Sequence, residues 1–143
     1  MTTLDLETAR TVVAAARAHG RTAELKPLTV VVLDAGGHLV AAEREDGASI
    51  GRVAIATGKA QGALALGMGS RSIMARAEQQ AYFVTAVTAA VGGSLIPVPG
   101  GVLVRDGAGA LLGAVGVTGD TSDHDEAAAV AGIEAAGLTA QVD

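Results

Sequence analysis

The chain has 143 residues, no cysteine, a formal net charge of −5 at pH 7, and half of its residues are apolar, with one Phe, one Tyr and no Trp. That length corresponds to one domain, residues 1–143, which buries about two-thirds of its unfolded surface and needs no disulfide or metal staple to fold. Without cysteine there are no zinc–thiolate sites, iron–sulfur clusters or thiol nucleophiles. The Lys and Arg residues are scattered and never form a run, which argues against a nucleic-acid partner.

Residues 4–19 predict a helix: Leu6, Ala9, Val12, Val13 and Ala16 recur at helical steps, Asp5 and Glu7 sit in the first turn, and Gly20 is the expected stop. Leu28 to Asp34 is rich in β-branched residues, Ala35-Gly36-Gly37 is a turn, and His38 to Arg44 returns as a second strand. Two helices are predicted next, Ile50 to Leu66 and Ser70 to Val91, the second with Ser70 as its N-cap. Gly101 to Arg105 and Leu111 to Thr118 read as strands around the Asp106-Gly107-Ala108-Gly109 turn. A last helix is expected from Ser122 to Ala136, with Ser122 and Asp125 spaced as a capping box. Hairpins imply an antiparallel sheet, and helices at both ends and in the middle can cover both of its faces, so the fold expected is a three-layer α/β/α domain of the α+β kind with four to five strands.

The longest uncharged stretch, Gln79 to Val104, is broken by Gly92, Gly93, Pro97, Pro99 and Gly100. Its Tyr82–Val91 part is about half a bilayer span, so no membrane partner is expected. The opening MTTLDLETAR has no apolar signal core, and the protein is expected to stay in the cytoplasm.

The most informative segment is Gly116-Val117-Thr118-Gly119-Asp120-Thr121-Ser122. It runs from a strand into a helix start, where backbone N–H groups are unpaired. Asp123, His124, Asp125 and Glu126 follow, so either capping or a polar ligand fits. His124 is a candidate haem ligand or general base, against the alternative of an exposed loop histidine. His19, at the edge of the apolar side of the first helix, is a second candidate haem ligand, against a half-buried structural role. His38 is expected to cap its turn. Lys59 lies in an Ala/Gly-rich helix, and its amine is expected to be half-buried and to face the Gly119–Ser122 turn, free to bind a carboxylate or pair with Asp120. On that expectation Lys59→Ala loses the ligand while stability changes by less than about 1 kcal/mol. Asp46 precedes that helix and can face it. Arg52 and Arg71 are further anion candidates. Met68 and Met74 are sulfur ligands to iron or, more simply, gap fillers. No metal site is expected.

Three stretches carry a resemblance. VVVLDAGGHLVAAEREDGA resembles the hairpin and DGA signature of GlcG/HbpS-like proteins, ATGKAQGALALGMGSRS their Lys-Ala helix and following loop, and PVPGGVLVRDGAGALLGAVGVTGDTSDHDEAAAVAGIEAAG their closing strands, glycine turn and acidic helix. The resemblance covers Leu28 to Gly137 and extends to the PduO C-terminal domain. It implies a profilin-like fold, a homo-oligomer (dimer or octamer), and a pocket near the Gly-Asp-Thr turn; the residues themselves suggest Lys59, Asp46, Gly119, Asp120, Thr121, Ser122 and His124 as its lining. The resemblance also implies haem or a related tetrapyrrole as ligand, with no defined reaction. The alternative is an enzyme or sensor acting on a small carboxylic acid held by Lys59 and the Gly119–Ser122 turn, with His124 or Asp120 handling protons. Small-residue segments such as Ala60 to Leu66 and Ala86 to Val91 are expected to pack between subunits as well as within one.

Overall fold

The structure is a computed structural model describing residues 3–143. In chain order it contains α1 (Leu6–Thr22), β1 (Thr29–Asp34), β2 (Leu39–Arg44), α2 (Arg52–Leu66), α3 (Ser70–Gln79), α4 (Ala81–Ala90), β3 (Gly101–Arg105), β4 (Leu111–Thr118), α5 (Ser122–Ala135) and β5 (Thr139–Gln141). The strands form one antiparallel sheet in the order β2-β1-β4-β3-β5.

Strand alternation divides the valines between the two faces. Val30, Val32, Val102, Val104, Val115 and Val117 point to one face and meet Ala9, Val12 and Ala16 of α1 and Ala128, Ala129 and Ile133 of α5. On the other face Val31, Leu33, Leu103 and Ala114 meet Ala56, Ala60 and Ala63 of α2. The expected three-layer α/β/α arrangement is therefore present. Beside Leu33 and Leu103, two glycines let α2 come close to the sheet: a Cβ on Gly116 would strike the Ala56 carbonyl, and one on Gly101 the Lys59 carbonyl. Helix backbone lies directly on strand backbone there.

Several local expectations change. Gly20 does not end α1, which runs on to Thr22; its missing side chain instead makes room for Leu28, whose Cδ1 would lie 2.6 Å from a Cβ at that position. The predicted 70–91 helix is two helices, broken at Gln80 with φ −139° and ψ 64°. The break is held by Arg76, which donates to the Gln80 side chain at 2.6 Å and lies 4.1 Å over the Phe83 ring, and it turns Val84 toward Ile73 and Leu95. Gly69, not Ser70, caps α3; the Ser70 hydroxyl accepts from Gly101 N (2.7 Å) and donates to Gly101 O (3.3 Å), tying α3 to β3. Met68 packs against the Ile73–Val84–Leu95 cluster as a gap filler. Ala60 and Ala63 are consumed within the subunit, whereas Ala86, Ala89 and Ala90 of α4 are exposed.

Candidate functional site

β4 ends at Thr118, and the chain turns through Gly119, which has φ +147° and whose absent side chain admits the Pro27 carbonyl. Only glycine combines that φ with that contact at low cost. The turn delivers Asp120 onto three donors. Its carboxylate accepts from Lys26 N at 2.8 Å and Thr121 N at 2.8 Å, and lies 2.7 Å from His124 Nδ1. The Lys26 amide, the His124 ring and the Thr121 amide, in that order, hold the Asp120 carboxyl far below the usual carboxylate range. A carboxylate accepts only, so the proton between them resides on Nδ1, and in the neutral ring Nε2 keeps its lone pair. The His124 side chain is 58 % exposed. The result is an outward-facing imidazole of fixed tautomer.

Thr121, not Ser122, caps α5, its hydroxyl accepting from His124 N at 3.3 Å. Asp125 takes no part in a capping box. Its carboxylate turns inward, one oxygen accepting from Asp120 N at 2.9 Å and the other lying 3.2 Å from Lys59 Nζ. Lys59 also donates to Val117 O at 2.9 Å. Lys59 thus sits across from the turn, but 2 % exposed rather than half-buried, and paired with Asp125 (1 % exposed) rather than Asp120. Burial pushes the Lys59 amine below its ordinary value, against the pull of Asp125, and nearby Arg52 adds to the lowering. Gly100 is glycine for the same cluster: with φ +124°, a Cβ there would lie 2.8 Å from Lys59 Nζ.

The remaining candidates separate. Arg71 bonds Asp123 and Glu126 at the exposed start of α5, which raises its pKa. Asp46 does not join Lys59; it lines a 220 Å³ cleft with Arg17, Arg21, Pro27 and the buried Glu45. Ser122 is the first residue of α5, and His19 lies half-buried in the last turn of α1. Arg52 is half-buried and donates to Thr118 Oγ1 at 2.8 Å. Sequence reasoning missed two features. One is Asp125 as the buried partner. The other is the repeated Asp-x-x-x-His spacing: Asp34 and His38 form a second pair, at 3.2 Å, in the β1–β2 turn. The spacing was visible in the sequence; the pairing needed the turn geometry. Among the described residues no three His, Cys, Asp or Glu side chains cluster as a metal site, and no helix is long and apolar enough to cross a membrane.

Residues 4–134 match the family model described as "Haem degrading protein HbpS-like". The chain belongs to the HbpS-like family. No curated protein sequence matches it. Among solved structures it is similar to HbpS of Streptomyces reticuli, as a double mutant, with 28 % identity over 94 % of this chain and 87 % of that one at a TM-score of 0.78. The ORFY protein of Klebsiella pneumoniae gives 25 % identity over 96 % and 92 % at 0.85. A PduOC:heme complex gives 20 % identity over 96 % and 98 % at 0.85, a likeness of fold. The HbpS-like architecture thus spans both sheet faces and the β4–α5 turn.

Proposed function

We propose that this protein binds haem or a related tetrapyrrole, which His124 would hold through its iron, with Asp120 as the group that orients His124. The observation that carries the reading is the His124–Asp120 pair. A ligating histidine that donates its other N–H to a carboxylate is held in one tautomer and made more basic. Membership of the HbpS-like family supports the same reading. Bound haem would supply the iron chemistry; this chain's contribution is to fix the imidazole and to anchor the Gly119–Ser122 turn on Lys59 and Asp125. His19 is the second candidate ligand. We further propose a cytoplasmic homo-oligomer, a dimer or octamer, supported by the exposed apolar surface at Ile50 (97 % exposed), Val53 and Tyr82.

Hemin titration tests the reading. A sharp Soret shift is expected for the wild type, lost in His124→Ala and retained in His19→Ala and His38→Ala. Loss in His19→Ala alone would move the ligand to α1, and indifference to both His124 and His19 would reject histidine ligation. Light scattering that finds a monomer at micromolar concentration would reject the oligomer. The alternative reading, a small carboxylic acid gripped by Lys59, is not favoured, because both hydrogen bonds of the Lys59 amine are internal.

A further inference from the structure

On the α2 face of the sheet, at the end where β4 stops, three residues share one cross-strand row. Thr29 is the register partner of Arg44 on β2 and of Thr118 on β4. Cross-strand partners project from the same face, and here that face is the one α2 covers, since Val31 and Leu33 two and four residues on pack against α2. Arg52, the first residue of α2, closes the row by donating to Thr118 Oγ1.

Four properties of this row are unusual together. Thr29 is 0 % exposed, and its hydroxyl is the one buried side-chain polar atom without a hydrogen-bond partner among the described residues. A buried hydroxyl without a partner is destabilising, so it marks a place where an acceptor is missing. Neither Arg44 nor Arg52 forms an ion pair among the described residues; Arg44 donates to the Ala48 carbonyl at 2.7 Å and Arg52 to the Thr118 hydroxyl. The start of α2 has no side-chain cap and no acidic residue in its first turn. Its leading amides therefore add positive potential with nothing to neutralise it. The protein as a whole carries net charge −5, so two unpaired guanidinium groups and an uncapped helix start in one place stand out against the background.

We infer that the Arg44–Thr29–Thr118 row, closed by Arg52 at the start of α2, is a binding site for a carboxylate. One carboxylate supplies the missing acceptor for Thr29, an anion for both arginines, and a counter-charge for the helix start. Arg44 is held at the Ala48 carbonyl. On ligand entry Arg44 exchanges that carbonyl for the carboxylate. The carboxylate has two sources, a porphyrin propionate or a free small acid. The site does not depend on iron ligation by His124, and its test is separable from that one.

The experiment uses propanoate followed through the amide resonances of Val53 and Ala54, and hemin against its dimethyl ester followed at the Soret band. Saturable propanoate shifts are expected, weakened at least about tenfold in Arg52→Gln and in Arg44→Gln, as for lost charged hydrogen bonds. Thr29→Val should bind about fivefold more weakly while melting no lower than the wild type. A purely structural threonine would not separate the two in that way, because the isosteric valine removes an orphan hydroxyl. If hemin binds more tightly than its ester and Arg52→Gln removes the difference, the source is a propionate. If propanoate saturates and hemin and ester bind alike, the source is a free acid. No saturable propanoate shift together with equal binding of hemin and ester, or propanoate binding indifferent to both arginine variants, overturns the site. Failure of hemin to bind at all removes the iron reading and leaves the propanoate arm to decide this one.

Discussion

The two faces of the sheet are packed on different principles. The α1/α5 face is a conventional aliphatic layer in which valines of four strands meet Val12 and Ile133. On the α2 face, beside Val31, Leu33 and Leu103, Gly101 and Gly116 present bare backbone to α2, and the helix meets the sheet with Ala56, Ala60 and Ala63. The close approach has a consequence. It brings α2 near enough for Lys59 to reach past the end of β4 to Asp125, and for Arg52 to touch Thr118. The valine face supplies stability; the glycine face places buried polar groups where the chain turns into α5.

If that contrast is right, the largest effect belongs to Lys59. Lys59→Ala should cost about 3–5 kcal/mol, because it leaves Asp125 buried and unpaired, and urea denaturation reads it. This replaces the cost within about 1 kcal/mol expected of a half-buried lysine. Replacing both partners, Lys59→Met with Asp125→Leu, should recover most of the loss in stability while releasing Asp120 N from its acceptor. A double variant as unstable as the single one would show that the pair is not the unit.

The faces should next be sensitive to opposite changes in side-chain size. Gly116→Ala should cost about 3 kcal/mol, since backbone stands in the way and cannot yield as a side chain can. Val115→Ala, one residue along on the other face, should cost about 2 kcal/mol by leaving a cavity. Equal tolerance of Gly116→Ala and of an alanine at exposed Gly107 would break the comparison. At the turn, Thr121→Ala should cost about 1 kcal/mol as a lost N-cap, seen in the same denaturation series.

The smallest effect is a pH dependence. Asp120 has a folded pKa below its unfolded value, so the unfolded chain binds more protons in the window between the two. Its contribution to stability is complete above about pH 4, the unfolded carboxylate range, and falls away as the pH drops toward the folded pKa. Asp120→Asn should therefore flatten the acid limb of stability against pH without changing the slope above neutrality. An unchanged acid limb would mean that the three donors around Asp120 are not formed in solution.

Much of this was legible in the sequence. The alternation of Leu28–Asp34 and Leu111–Thr118, the Gly-rich turns and the periodicity of α1 were sufficient for the sheet and for helices on both faces. The Gly119–Asp120–Thr121 segment could be singled out because a strand running into a helix start must leave amides to be used. The split of 70–91 was not legible, because no glycine or proline marks Gln80; the break follows from Arg76, Gln80 and Phe83 packing locally. β5 was also missed, being three residues long and defined by its pairing with β3.

Local chemistry in the sequence determined that Asp120 and His124 would lie one helical turn apart and that Lys59 was an isolated cation in a small-residue helix. Only the tertiary structure decided that Lys59 meets Asp125 and that Thr29 lies between Arg44 and Thr118 with nothing to bind. Spacing along the chain fixes neighbours within one turn or one strand. Pairs 66 residues apart, or three strands abreast, depend on how closely α2 settles on the sheet. The glycines permit that approach but do not name the partners it creates.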